Sequence, residues 1–283
     1  LKPFWLKRLA VVCPHIAVTP AQYRSVTACA LLMRGALQSV RRDVARWGVG
    51  IIAHGNRGVA STPLAMPALG ATPKNREGAI KLYDDWAKNY DETLKSWDYP
   101  APRKTAELLK RYAQSGVEGA PLSINTLPVL DAGCGTGLGG EALHAAGFAR
   151  IVGTDVSNDS LELCRGKGIY VDLVNCDLEC AETGKTPFDD RSFAGVTCVG
   201  VLSYVKNFDK VFAEWCRVTA PGGFVVFTHR VQLWDGDVDS VRIAAEKSNW
   251  VKRFESEPED YMPKNPDPTE SAKRIRYLVY EVH

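Results

Sequence analysis

The sequence predicts an α/β fold with a doubly wound, mostly parallel sheet, and two features of residues 77–283 support this. Apolar runs that look like strands alternate with segments of helical periodicity, which is typical of a parallel sheet covered by helices on both faces. The last run, Arg274–Val282, alternates apolar and polar residues, as expected of an antiparallel edge strand. In folds of this class, ligands bind beyond the carboxyl ends of the strands.

Each expected element has its own local pattern. Residues 77–90 carry apolar side chains at spacings of three and four, which predicts an amphipathic helix, here called the leading helix. Further helices are expected at Arg103 to about Ser115, Leu138–Ala146, Leu161–Lys167 and Val211–Val218, the last one closed by Pro-Gly-Gly at 221–223. Strands are expected from Val129 and at Ile151–Asp155, Tyr170–Val174, Phe193–Val199 and Phe224–Thr228.

A glycine-rich loop follows the first strand. The strand runs into Asp131, and glycines then occupy every second position, at Gly133, Gly135 and Gly137. Glycine is needed where the backbone turns sharply, or where a ligand comes closer than a Cβ atom would allow. A loop of this kind between a strand and a helix serves nucleotide cofactors generally, and a turn without a ligand is the plain alternative.

The spacing of these glycines argues against a dinucleotide. Counted from Gly133, the pattern G-x-G-x-x-G requires its third glycine where Leu138 stands. Counted from Gly135, the pattern is complete, but it starts late and leaves Asp131 unexplained. An NAD(P)-dependent oxidoreductase is therefore the less favoured interpretation.

An acid followed by glycines at the second, fourth and sixth positions resembles motif I of the class I S-adenosylmethionine-dependent methyltransferases. The resemblance covers about residues 77–283. It implies a Rossmann-like sheet of seven strands and S-adenosyl-L-methionine as the cofactor, with the loop under its methionine and ribose portion. The implied cofactor residues at the loop are Asp131, Gly133, Cys134, Gly135, Gly137 and Leu138.

Two further acids fit the same cofactor. Asp155 ends the second strand, where an acid accepts both ribose hydroxyls in NAD enzymes and methyltransferases alike; an exposed loop aspartate is the alternative. Asp177 resembles the adenine-binding acid of the family, and the backbone N–H of Leu178 would bond a ring nitrogen. The expected cofactor site is completed by Val156, Cys176 and Val199.

The sequence also departs from common methyltransferase patterns. The run from Pro187 to Phe193 resembles the family's P-F-x-x-x-S-F-D, but Ala194 stands in place of the final aspartate. Enzymes that methylate exocyclic or amide nitrogens often carry Asn/Asp-Pro-Pro-Tyr/Phe after the fourth strand, whereas residues 199–204 read Val-Gly-Val-Leu-Ser-Tyr. DNA adenine methylation and glutamine methylation are therefore disfavoured.

Residues 82–91, 99–102 and 228–230 resemble a narrower group, the methyltransferase-like family of the Williams–Beuren syndrome region. This resemblance implies that three aromatic side chains of the leading helix close over the methionine end of the cofactor, namely Tyr83, Trp86 and Tyr90. Ordinary core packing is the alternative, and we expect a lid.

The methyl acceptor is expected to be a small molecule, because no added domain for a protein substrate is evident. A general base is needed only if the acceptor atom carries a proton. His229 is the first candidate because it follows the fifth strand at the catalytic edge of the sheet, and Tyr204 and Tyr261 are further candidates. A non-catalytic S-adenosylmethionine-binding module would carry the same cofactor motifs.

Residues 1–76 differ in composition from the remainder. They hold 11 of the 35 Lys and Arg residues and one of the 33 acids, Asp43, so residues 77–283 hold 24 basic and 32 acidic residues, a net charge of −8. This predicts a transit peptide for a mitochondrion or plastid, with a bipartite secretory-plus-plastid signal as a weaker option. The alternatives are a disordered extension or translated upstream sequence, and a cytoplasmic protein. The acidic remainder argues against a nucleic-acid partner. The apolar runs of residues 1–76 are too short for membrane insertion.

The 8 cysteines include no C-x-x-C pair, and no histidine stands at a spacing that would complete a zinc site. This pattern predicts reduced thiols and no bound metal. The oligomeric state is left open.

Overall fold

Parallel strands form the centre of the structure, a computed structural model that describes residues 89–115, 126–180 and 184–283. The described residues belong to one compact unit. Its sheet has eight strands: β1 (Val129–Ala132), β2 (Ile151–Asp155), β3 (Asp172–Asn175), β4 (Phe193–Cys198), β5 (Thr219–Arg230), β6 (Trp250–Glu255), β7 (Glu259–Asp260) and β8 (Arg274–Val282). The sheet therefore has one strand more than the seven expected.

The order of the strands confirms the predicted fold class. It is β3-β2-β1-β4-β5-β8-β6, with β7 paired to β8. Strands β1 to β5 pair in parallel, and β8 runs antiparallel to both β5 and β6. Strand β1 lies between β2 and β4, so the strands that follow β1 in the chain are first added on one side of it and then, from β4 onwards, on the other side. The strand order therefore reverses at β1. A crevice for a ligand opens at such a reversal, outside the carboxyl ends of the strands.

Helices cover both faces of this sheet. They are α1 (Ala101–Ser115), α2 (Leu138–Ala146), α3 (Asn158–Lys167), α4 (Phe208–Val218), α5 (Val231–Lys247) and α6 (Pro268–Ser271), and residues 89–96 are also helical. Helix α2 was predicted correctly, whereas α3 and α4 each begin three residues earlier than expected. Ser157 and Asn207 cap these two helices with side-chain oxygens that each accept a backbone N–H at 3.1 Å.

Two apolar clusters lie on opposite faces of the sheet. Along β5, Val225 and Phe227 belong to the cluster that packs on α4 and α5. Their neighbours Phe224 and Val226 belong to the cluster that packs on α1 and α2. Successive side chains of a strand point to opposite faces, so a strand buried on both faces appears in the sequence as a continuous apolar run.

The structure corrects the predicted position of the last strand. Strand β8 was expected at an edge, but it lies between β5 and β6, and its residues Tyr277–Val279 are fully buried. The edge is formed by β6, whose sequence Trp-Val-Lys-Arg-Phe-Glu hides the strand pattern. Charged side chains are typical of edge strands, because they discourage pairing with another chain.

The Pro-Gly-Gly signal at 221–223 also has a different meaning in the structure. It lies inside β5, which begins at Thr219 directly after α4. The register against β4 shifts here, since Phe193 pairs with Thr219 but Gly195 pairs with Phe224. The signal therefore marks an irregularity within one long strand, and not the turn between the helix and the strand.

Several predictions fall on residues that the structure does not describe. Residues 1–76 and most of the leading helix, including Tyr83 and Trp86, lie outside the described ranges. Within those ranges, no helix combines the length and the apolar character that crossing a bilayer requires.

Candidate active site

The glycine loop, residues Gly133–Gly137, lies at the carboxyl end of β1. Its three glycines all adopt positive φ angles, 69°, 52° and 97° in chain order, which residues with a side chain rarely adopt. A Cβ atom added to Gly135 would meet no atom within 4 Å, so the middle of the loop borders open space. This is the arrangement expected where a ligand lies against the backbone.

Asp155 stands beside this open space, at the end of β2. Its Oδ2 atom accepts a hydrogen bond from the backbone N–H of Gly135 at 2.8 Å. Its Oδ1 atom accepts one from Ser157 at 2.9 Å. The carboxylate is thus held between the glycine loop and the start of α3.

Asp131 is a buried acid near the end of β1, just before the glycine loop. The residue is only 2% exposed, its Oδ2 atom accepts from the Tyr170 hydroxyl at 2.8 Å, and its Oδ1 atom accepts from Thr197 at 3.4 Å. Burial raises the pKa of Asp131 to about 6, although the two hydrogen bonds oppose the rise. Asp131 also lies against Gly139 of α2, because a Cβ atom added to Gly139 would stand 2.7 Å from Oδ1 of Asp131. The structure therefore gives Asp131 a supporting position under the first turn of α2.

Cys134 also faces the interior. Its Sγ atom lies 3.8 Å from that of Cys164, and the Cys164 thiol lies 3.2 Å from the carbonyl oxygen of Gly135. The contact with the Cys164 thiol and, after it, burial raise the pKa of the Cys134 thiol, so it stays protonated. The six described cysteines are all free thiols. Among the described residues, no group of His, Cys, Asp and Glu side chains could hold a metal ion.

The loops after β2 and β3 meet beside Asp155. The N–H of Cys176 donates to the carbonyl of Asp155 at 3.0 Å, and the Asn175 side chain donates to the carbonyl of Val156 at 2.9 Å. Asp177 accepts from the N–H of Glu179 at 3.1 Å, and Leu178 is buried. The ribose and adenine residues implied by the resemblance therefore lie next to each other, while Val199 follows β4 across the crevice.

Asp91 ties the helix of residues 89–96 to the glycine loop, a contact that the sequence analysis missed. Its carboxylate accepts a hydrogen bond from the Thr136 hydroxyl at 2.5 Å and another from the Lys167 ammonium at 2.6 Å. Lys167 also pairs with Glu141 at 3.1 Å. Burial opposes the charge of Lys167, but the two carboxylates raise its pKa above the ordinary value.

Four tyrosines, here called the tyrosine cluster, lie near one another close to the strand ends: Tyr90, Tyr99, Tyr204 and Tyr261. Tyr99 and Tyr261 meet edge to face, with ring centroids 5.3 Å apart. Burial raises the pKa of Tyr90 above its ordinary value, and the nearby Tyr261, Tyr204, Asp91 and Asp155 raise it further. Tyr90 therefore lies within electrostatic reach of Asp155, Tyr204 and Tyr261. Tyr90 and Leu138 both pack against the apolar cluster of Leu94, Trp97 and Met262.

The prediction of His229 as a general base is wrong in its geometry. Its side chain is fully buried, with Nδ1 at 3.1 Å from the carbonyl of Arg230 and Nε2 at 3.1 Å from Asp237. The ring packs edge-on against Trp234 at 5.2 Å. Burial lowers the pKa of His229, although both acceptors oppose the change. The buried imidazole lies between the end of β5 and Asp237 of α5, and a side chain buried in this way is out of reach of a methyl acceptor in the crevice.

Tyr204 remains a candidate for the general base. It lies in a 3₁₀ turn, Leu202–Tyr204, just beyond β4, and it is partly exposed. Arg230, which in the sequence is only part of the motif at residues 228–230, lies at the carboxyl end of β5 near Tyr261. Its position beside the cluster depends on the pairing of β5 with β8, which no local pattern reveals.

Comparisons with known proteins agree with this geometry. Residues 130–227 match the family model described as a methyltransferase domain. Human methyltransferase-like protein 27 is 33% identical over 153 residues, which are 53% of this chain and 57% of that protein. The sterol 4-C-methyltransferase strm-1 of Caenorhabditis elegans is 31% identical over 140 residues, 49% of this chain and 41% of that protein. The chain thus spans about half the length of the curated relatives it matches.

Among solved structures, geranyl diphosphate methyltransferase in complex with S-adenosylmethionine is 16% identical, with a TM-score of 0.47, over 64% of this chain and 85% of that chain. The family match covers β1 to β5, the strands that carry the glycine loop and Asp155. The human relative fits the narrower group that the sequence resembles. Residues 130–227 of this chain thus match a methyltransferase domain, and the mostly parallel sheet with an antiparallel C-terminal strand is the fold that the sequence resemblance implied.

Proposed function

We propose that this protein is an S-adenosylmethionine-dependent methyltransferase that transfers a methyl group to a small molecule. The single observation that carries the proposal is the open space at Gly135, bordered by the carboxylate of Asp155, in a domain of this family. An acid at the end of the second strand, beside a glycine loop, is where the ribose hydroxyls of a nucleoside cofactor are accepted.

The residues present fit the cofactor. Asp155 would accept the ribose hydroxyls, and Asp177 would accept the exocyclic amine of adenine. Tyr90 would present an aromatic face towards the methionine end, where a cation is attracted to aromatic rings. When bound, the cofactor supplies an activated methyl group on a sulfonium centre.

The contribution of the chain itself is positioning. The glycine loop and Asp155 hold one reactant, and the tyrosine cluster walls the space beyond β4 where the other would lie. Holding two reactants in line is worth on the order of 7–11 kcal/mol of the barrier. Aromatic walls also exclude water, which favours a transition state in which the charge on sulfur disappears.

Relatives support a small-molecule acceptor. They include a sterol 4-C-methyltransferase, a ubiquinone biosynthesis O-methyltransferase of Thiobacillus denitrificans and a fatty-acid O-methyltransferase of Mycolicibacterium smegmatis. These names describe those proteins, and the acceptor atom of this chain is a separate question. Among the described residues, Tyr204 and Tyr261 would be the candidates to take a proton from the acceptor atom.

The test is calorimetric titration of the purified protein with S-adenosylmethionine, S-adenosylhomocysteine and NAD in parallel. We expect saturable binding of the first two and none of NAD. Binding of NAD without a signal from S-adenosylhomocysteine would overturn the proposal in favour of an oxidoreductase. Cofactor binding without methyl transfer to any compound in metabolite extracts would point to a non-catalytic module.

We also propose that residues 1–76 direct the protein into a mitochondrion or plastid. The support is their composition, with 11 basic residues and one acid. A fluorescent protein fused behind these residues is expected to accumulate in one of the two organelles. Diffuse cytosolic fluorescence would contradict this proposal.

A further inference from the structure

Arg230 is a partly buried cation at the carboxyl end of β5, and one of its donor atoms has no partner. It is the last residue of β5, and its Nε atom is buried with no hydrogen-bond partner. Among the described residues, no carboxylate lies within ion-pairing distance of its guanidinium group. A buried charged donor that is left unpaired costs free energy, so an arrangement of this kind needs an explanation.

Aromatic side chains lie near Arg230 at the ends of β4 and β5. The N–H of Gly200, beyond the end of β4, donates to Thr228 of β5 at 2.9 Å, so the two strand ends are held together. The hydroxyl of Tyr99 lies over Gly200, only 3.2 Å from where a Cβ would stand. Tyr99 in turn meets Tyr261 edge to face, and Tyr261 lies within electrostatic reach of Arg230. Aromatic walls and one unpaired cation thus meet at the ends of β4 and β5.

Arg230 lies well away from Asp155, the residue proposed to bind the ribose. Asp155 ends β2, and Arg230 ends β5, three strands away in the order β2-β1-β4-β5. Neighbouring strands lie about 4.8 Å apart, so the two residues stand about 14 Å apart along the sheet. That span leaves room for the methionine end of a cofactor and for an acceptor between Asp155 and Arg230.

We propose that Arg230 binds a carboxylate of the methyl acceptor. This inference rests on the proposed function and specifies its substrate class. The N–H groups of a guanidinium form pairs that match the two oxygens of a carboxylate. The Nε–H of Arg230 has no partner, so it can serve as one donor of such a pair. One guanidinium balances the single charge of a carboxylate, whereas a phosphate carries nearly two charges.

Glu270 is the competing partner within the chain. It is buried, and its Oε1 atom accepts from the Lys273 ammonium at 2.6 Å, while its Oε2 atom has no partner. Like Arg230, it lies within electrostatic reach of Tyr261. Because Lys273 already neutralises Glu270, the positive charge of Arg230 remains available for a ligand.

The experiment uses the full chain saturated with S-adenosylhomocysteine and a panel of matched probes. The probes are aliphatic and aromatic carboxylates, each paired with its primary amide of the same shape, and binding is followed by ligand-observed NMR and calorimetry. We expect some carboxylates to bind and their amides to bind at least about 10-fold more weakly. Arg230→Gln should weaken carboxylate binding by about 10- to 100-fold. Arg230→Lys should recover part of the loss, because it keeps the charge but not the fork.

The outcomes separate the two proposals. If the parent chain binds no S-adenosylhomocysteine, the proposed function itself fails. If it does bind, the inference about Arg230 is overturned by equal binding of amides, by Arg230→Gln behaving as the parent, or by a panel without any binder. Unchanged S-adenosylhomocysteine affinity in each variant shows that the variant is folded.

A second measurement tests the alternative that Arg230 serves Glu270. The urea unfolding midpoints of Arg230→Gln, Glu270→Gln and the double variant are compared. Additive shifts are expected if the two side chains are independent. A double variant that is no less stable than either single variant would show that Arg230 and Glu270 form a pair, and would overturn the inference.

Discussion

The carboxylate of Asp91 accepts a hydrogen bond from the hydroxyl of Thr136 at 2.5 Å, across 45 residues of sequence. It joins the helix of residues 89–96 to the glycine loop, and Lys167 reinforces the contact at 2.6 Å. A helix that moves as a lid must break or form a contact of this kind.

Asp91→Asn should therefore loosen residues 89–96. Losing the charge on a partly buried acceptor should lower local stability by about 1 kcal/mol, which corresponds to about fivefold faster hydrogen exchange. S-adenosylhomocysteine is expected to slow exchange of these residues in the parent protein. The control is Glu92→Gln, on the exposed side of the same helix. Equal exchange in parent and Asp91→Asn would mean that the contact does not hold the helix.

Asp155→Asn should weaken S-adenosylhomocysteine binding. Charge-assisted hydrogen bonds contribute roughly 1.5–3 kcal/mol each, so a loss of about 10- to 100-fold in affinity is expected. Asp159→Asn is the matched control, because this exposed acid lies in the first turn of α3. Titration calorimetry on both variants is decisive, and parental affinity in a folded Asp155→Asn protein would mean that the ribose lies elsewhere.

Gly135→Ala separates backbone strain from occupied space. Gly135 has φ of 52° and Gly168 has φ of 65°, and an added Cβ meets no atom within 4 Å at either position. Both alanine variants should therefore lose a similar stability of about 1–2 kcal/mol. Only Gly135→Ala should also weaken S-adenosylhomocysteine binding, by about tenfold or more, equivalent to about 1.4 kcal/mol. Similar cofactor affinities in the two variants would contradict a ligand at Gly135.

Asp131 should make stability depend on pH. Its pKa is raised from 3.8 to about 6 in the folded protein, so between those values the unfolded chain releases a proton that the folded chain keeps. Stability from this group therefore falls as pH rises from about 4 to about 6, by at most about 3 kcal/mol, and is constant above.

Asp131→Asn removes this titration. The unfolding free energy of the variant minus that of the parent should rise between pH 4 and pH 6 and then stay level, as measured by urea unfolding at a series of pH values. Asp189→Asn, which removes an exposed carboxylate, is the control and should show a flat difference. A flat difference for Asp131→Asn as well would show that its pKa is not raised.

Local patterns were enough to predict β2, α2 and β8 at their observed bounds. Each has a clear apolar period or a glycine boundary, and such signals are carried within a few residues. The strand β6 was missed because an edge strand is partly exposed and its sequence carries charges. Likewise, α3 and α4 started earlier than predicted because Ser157 and Asn207 were not recognised as caps.

The sequence by itself determined the alternating fold, the glycine loop and the place of Asp155, because each depends on residues close together in the chain. Only the tertiary structure decided that His229 is buried with both ring nitrogens occupied, that Asp91 meets Thr136, and that Arg230 has no ion-pair partner among the described residues. These relationships depend on which strands and helices become neighbours. Burial and pairing of a charged side chain are set by contacts distant in sequence, and a one-dimensional pattern does not contain them.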